Sequence, residues 1–184
     1  MDLLRAAGRT FEETVAAVPV NAWDDNTPCG ISVSEVVDHV VTGNLFSALI
    51  LAGAPPAETR AVLAGSHLGD DPLAAVTESC ARQHAAFTTA DPMVLVPHPI
   101  GPISLGTFLR FRIGDLVVHA WDIAHGAGLD KTLPRPLVEG LWDMVAPHLD
   151  EMRAMGTFGV GASQELPAQT PLQARLLDAF GRRA

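Results

Sequence analysis

Asp115-Leu-Val-Val-His119-Ala-Trp-Asp122 decides the reading of this chain. An acid stands four residues before a histidine in a run that is otherwise apolar. At 3.6 residues per turn, positions 115, 119 and 122 fall on one face of a helix. A carboxylate and an imidazole one turn apart can grip a single divalent metal, as two histidines do on metalloprotease helices. Upstream, Ser34-Glu-Val-Val-Asp-His39-Val-Val sets another histidine in an equally apolar run. Two such helices packed side by side would give a His39/Asp115/His119 site with open coordination positions.

Helical patterns also dominate the rest of the chain. Leu3 to Val18 repeats apolar residues at helical spacing, and Pro19 ends it. Trp23 to Gly30 holds most of the breakers of its neighbourhood and reads as a loop. Ser32 or Ser34 caps a second helix to about Ala52, with Glu35 in its first turn. A weaker segment covers Glu58 to Leu68. Asp70-Asp-Pro then starts a helix to about Thr89. Asp91 to Gly101, with three prolines, reads as an extended loop without a strand. Ser104 or Thr107 opens the helix of the acid–histidine box, which ends at Gly126 or Gly128. A further helix runs from Leu137 to about Met155. Gly156 to Pro171 reads as irregular, and Leu172 to Phe180 as a short last helix. With no repeat and no linker long enough to divide it, the chain reads as one all-α domain, 1–184. The expected architecture is a bundle of about four main helices with additional short helices and long connections.

Composition bounds the function. At 184 residues the chain can bury a sizeable core. A net charge of −9 argues against nucleic acid or an anionic membrane as partner. No apolar run reaches the length of a membrane span, and no signal-peptide pattern opens the chain, so a cytoplasmic protein is expected. The mean hydropathy of +0.23 points to much buried surface and favours a homodimer. Cys29 and Cys80 are too few for a disulfide scaffold and lack C-x-x-C spacing, so both read as free, structural thiols. No P-loop, nucleophile elbow or dinucleotide fingerprint is present.

Each candidate has a plainer alternative. His119 can be a hydrogen-bonded core histidine, and Asp115 its ion-pair partner or that of Arg112. His39 can likewise be a core histidine. Glu35 can be a fourth ligand, but an acid in a first helical turn already suits the helix dipole, which is the role favoured here. Asp122 continues the face of Asp115 and His119. It can orient the ligand histidine from behind or lie on the rim. Asp38 reads as solvated. Of the remaining histidines, His84 and His125 are the first substitutes as ligands.

Three pieces of this chain resemble the DinB-like metal-binding four-helix bundles, and within them the actinobacterial group similar to the mycothiol-dependent maleylpyruvate isomerase N-terminal domain. They are Pro28-Cys-Gly-Ile-Ser-Val with Val37-Asp-His39-Val-Val, the box Asp115-Leu-Val-Val-His119-Ala-Trp-Asp122-Ile-Ala, and the ending Pro171-Leu-Gln-Ala-Arg-Leu-Leu-Asp-Ala-Phe-Gly-Arg. The resemblance implies a divalent metal, zinc first and nickel second, on His39, Asp115 and His119. It also implies a low-molecular-weight thiol such as mycothiol as cofactor. The isomerase-like members use Glu where this chain has Asp115, a tryptophan where Ile31 stands, and an arginine at the place of His125. The isomerases also carry an additional C-terminal domain, so isomerase activity itself is not expected.

Three functions follow as expectations. The first is a metal-dependent thiol transferase or conjugating enzyme acting on a small thiol and an electrophile. The second is a non-catalytic metal- or small-ligand-binding stress or sensor module. The third is a structural dimeric bundle.

Overall fold

The computed structural model describes residues 1–155, 166–167 and 169–183. Four long helices make the bundle: α1 (Asp2–Ala16), α2 (Val33–Leu51), α4 (Pro72–Thr89) and α5 (Leu105–Gly126), with the short α3 (Pro56–Ala64) between α2 and α4. Helix α2 packs on α4 and α5, and α1 packs on the same two, so the four close a ring around one core. Leu4, Ala7, Phe11 and Val15 bury the inner stripe of α1, and that spacing of three and four is why the segment is helical. Helices α2 and α5 bury residues on several sides, as their apolar sequences require. Among the described residues no helix is long and apolar enough to cross a membrane.

Local chemistry sets the ends. Ser32 accepts the Glu35 backbone N–H, and the Glu35 carboxylate accepts the Ser32 N–H at 2.8 Å, a closed capping box at the start of α2. Asp71 caps α4 through the N–H of Ala74 at 3.0 Å, and Ser104 caps α5 through that of Thr107 at 3.1 Å. Glu35 therefore serves its own helix start, the role favoured for it from the sequence. Asp38 is half-buried rather than solvated: it accepts the His67 backbone N–H at 2.7 Å and ties the α3–α4 loop to α2.

Two sequence expectations fail here. The stretch read as an extended loop without a strand carries β1 (Leu95–His98), which pairs antiparallel with β2 (Gly101–Ser104) at and beyond its end. Gly101 takes φ +111° and makes the turn possible. Pro97 faces Pro102, so the missing N–H groups sit opposite each other in a two-stranded ladder, where every strand is an edge. The single helix expected from Leu137 to Met155 is two: α6 (Arg135–Val145) and α7 (Leu149–Met155), divided by a 3₁₀ turn at Ala146–His148. Pro147 in that turn has no N–H for the helical ladder.

After Pro171, helix α8 (Leu172–Ala179) packs on α6. Phe180 then turns onto α5 over Gly114, where an added Cβ would stand 2.7 Å from its ring. The irregular stretch expected at 156–171 lies mostly outside the described residues.

Candidate metal centre

Helices α2 and α5 lie side by side and bring the three expected residues together. His39 Nε2 is 3.4 Å and His119 Nε2 3.2 Å from the same oxygen, Asp115 Oδ1. The rings of His39 and His119 meet edge to face at 5.1 Å. All three donor atoms fall within 4.8 Å of one another. His39 stands on the open side, with 55% of its side chain exposed, whereas the side chains of Asp115 and His119 are 18% and 12% exposed.

Each α5 donor is held from behind. The other Asp115 oxygen, Oδ2, accepts from Arg112 Nη1 at 2.7 Å. Arg112 is itself buried. Its Nε donates to Gln83 Oε1 at 2.7 Å and its Nη2 to Asn44 Oδ1 at 2.8 Å. It crosses α2 at Gly43, where any Cβ would overlap the guanidinium. The alternative partner for Asp115 is thus present, yet Arg112 occupies one oxygen and leaves the second facing the histidines.

His119 Nδ1 lies 2.9 Å from Asp122 Oδ2. With the Nδ1 proton given to Asp122, neutral imidazole presents its Nε2 lone pair to the site, the carboxylate–histidine arrangement common behind metal ligands. Asp122 is completely buried and is neutralised by Arg182, whose Nη2 donates at 2.8 Å and Nε at 3.1 Å. Asp122 therefore orients His119 from behind and is not on the rim.

The electrostatics follow from these pairs. Burial pushes the Asp115 carboxyl up, but the charges of Arg112 and His119 and hydrogen bonds from both histidines hold it well below the usual aspartate range. Burial pushes the His119 imidazolium down, but Asp115, with help from Asp122 and Cys29, holds it well above the usual histidine range. A metal ion must displace that proton to bind Nε2.

Sequence reasoning missed two neighbours. Cys29, read as a structural thiol, is half-buried beside the site: its Sγ is 3.0 Å from Thr27 Oγ1, and its donor atom falls within 4.8 Å of those of His119 and Asp122. A tight turn holds it there, with Gly30 at φ +87° and its N–H on Thr27 O at 2.9 Å. Burial raises the Cys29 thiol, but hydrogen bonds with His119 and Thr27 bring it net below its ordinary value. Arg182, which the sequence reading did not single out, is the countercharge of Asp122. Cys80 behaves as expected, a buried thiol that burial pushes up to about 12.

The two substitute histidines do not reach the site. His84 faces α1 across a cavity lined by Leu4, Arg5 and Glu12, and His125 is exposed at the end of α5 against the Trp121 ring. His98 comes nearer, in the wall of a cavity that His39 and Asp115 also line.

Residues 4–124 match the family model described as the mycothiol maleylpyruvate isomerase N-terminal domain, a span that includes His39, Asp115, His119 and Asp122. No curated protein and no solved structure matches the chain.

Proposed function

This chain belongs to the mycothiol maleylpyruvate isomerase N-terminal domain family, and from that premise we propose that it holds one divalent metal on His39, Asp115 and His119 and activates a low-molecular-weight thiol for transfer to an electrophile. The observation that carries the reading is the convergence of two imidazole nitrogens and one carboxylate oxygen from two helices, with the remaining polar atoms of Asp115 and His119 bound elsewhere. Two nitrogens and one oxygen suit zinc, then nickel, and three protein ligands leave a position open for a small molecule.

Zinc bound there would supply one thing, a lowered pKa for a thiol in the open position. The chain's own residues do the rest. Arg112 fixes Asp115, so the acid has one oxygen to give. Asp122 fixes the tautomer and the plane of His119. His39, more than half exposed, is the donor on the side from which small molecules arrive. The thiol proton leaves to solvent, the sulfur pair forms a carbon–sulfur bond with the electrophile, and the leaving group departs with its own pair. Mycothiol is the thiol that the family's description suggests.

The test is metal content by plasma mass spectrometry on tag-free wild type and a His39→Ala/His119→Ala double mutant, followed by a thiol-transfer assay with mycothiol. About one zinc or nickel per wild-type chain, absent from the folded double mutant, with metal-dependent transfer, is the expected result. Metal without transfer would favour a binding or sensor module. Folded wild type that takes no metal after incubation with zinc would reduce the Asp115–His119 face to a structural ion pair.

A further inference from the structure

A cavity of about 290 Å³ opens beside His39 and Asp115. Its wall is drawn from α2, α3, the turn of the β1–β2 hairpin and α5. The surfaces it offers are the side chains of Phe46, Leu63, His98, Ile100, Phe108 and Phe111. The His98 ring lies edge-on to Phe46, Phe108 and Phe111 at 6.0, 5.6 and 6.1 Å, so one side is an aromatic wall. Burial and the nearby charge of Arg112 lower the His98 imidazole, which favours its uncharged form. Arg112 is the one arginine or lysine among the described lining residues, and its hydrogen bonds go to Asp115, Gln83 and Asn44. Leu63 and Ile100 remain 46% and 50% exposed, large apolar side chains that a ligand in the cavity would cover.

We propose that this cavity is the electrophile subsite, and that it selects a neutral, apolar molecule of about one or two aromatic rings over a carboxylate. A void of roughly 150 Å³ accommodates benzene in a packed core, so the present one holds a substituted or two-ring aromatic. In the metal-free protein an anion entering it would lose its hydration and find the one guanidinium of the wall already engaged by Asp115, Gln83 and Asn44. The assignment of an electrophile rests on the metal–thiol reading, whereas the preference for neutral rings rests on the cavity alone.

The first arm of the test therefore uses metal-free protein. Binding of 2-naphthalenemethanol and of 2-naphthoate is measured by calorimetry for wild type, Leu63→Glu and Ile100→Asp. Both substituted side chains are largely exposed, and circular dichroism with zinc uptake checks that the variants keep fold and site. The alcohol is expected to bind at least tenfold more tightly than the carboxylate, and each variant to weaken the alcohol at least tenfold. Equal binding of the carboxylate, or wild-type binding by both variants, overturns the proposal. The second arm uses zinc-loaded protein with mycothiol. Here kcat/KM for 1-chloro-2,4-dinitrobenzene, from which chloride leaves, is expected to fall at least tenfold in the variants while that for iodoacetamide stays. Selective binding with no transfer to either electrophile would support the cavity's preference and overturn the thiol reading alone. Transfer to both electrophiles unaffected by the variants would overturn the subsite and leave the thiol reading standing.

Discussion

Replacing His39 by alanine separates a metal ligand from a structural residue. Its side chain is 55% exposed and touches the site only through Asp115 Oδ1 at 3.4 Å and the edge of His119. Surface changes of that kind stay within about 0.5 kcal/mol, so the metal-free variant should melt within a degree or two of wild type. Zinc tells the two proteins apart. At a free concentration of 100 Kd, a ligand that binds only the folded state adds about 2.7 kcal/mol. For a chain of this length each kcal/mol moves Tm by about 2–4 °C, a rise of roughly 5–11 °C. Partners behind a ligand are worth about 10–100-fold in affinity, and a direct donor at least the upper figure. At the same free zinc the variant then sits near its own Kd, gaining RT ln 2, about 0.4 kcal/mol, a rise of only about 1–2 °C. Differential scanning fluorimetry in a zinc-buffered solution reads both numbers. A variant that keeps the full zinc shift would falsify the assignment of His39 as a ligand. One that loses several degrees without metal would make the residue structural.

Asp122→Asn should weaken zinc about 10–100-fold in a chelator-competition titration, with loss of metal-free stability as well, because the half-buried Arg182 loses its charge partner. Gly43→Ala pushes a methyl group into the Arg112 guanidinium. Urea unfolding should show a loss of about 1–3 kcal/mol, and zinc affinity should fall with it as Asp115 loses its anchor. In the metal-free protein Asp115 and Asp122 are both held below the ordinary aspartate value of 3.8. Their contribution is complete above that value and is lost as pH falls through the lowered folded ones. Stability measured from pH 5 down to pH 2 should therefore drop, and the drop should shrink in Asp122→Asn. His119 has the opposite sign. Held above 6.5, it contributes most below that pH and its contribution fades as pH rises through its raised value, while zinc uptake grows over the same range.

Apolar runs with period 3.6 made the bundle legible, and the acid–histidine spacing made the α5 half of the site legible. Placing His39 opposite needed only the inference that two helices apolar on several sides must pack together. The hairpin was hidden because Pro97, Pro99 and Gly101 are loop signals, and two strands of four residues leave too little period-2 pattern to outweigh them. The break at Pro147 was visible as a residue, but the flanking apolar spacing ran through it. Cys29 and Arg182 could not be read from spacing at all. They reach His119 and Asp122 across long stretches of chain, and only the folded turn at Gly30 and the chain reversal after Phe180 bring them close.

The clamp of Arg182 on Asp122 also fixes where this unit can be cut. The family match stops at residue 124, and a fragment ending there would retain every proposed ligand. It would also expose the bare α5 surface at Gly114 that Phe180 seals, and leave the buried Asp122 carboxylate without its arginine. Removing one partner of a buried ion pair costs about 3–5 kcal/mol, a large part of what holds a domain together. The recognisable portion of the sequence and the smallest portion able to stand alone are therefore different objects, and grafting the centre into another scaffold requires carrying the distant C-terminal segment along with it.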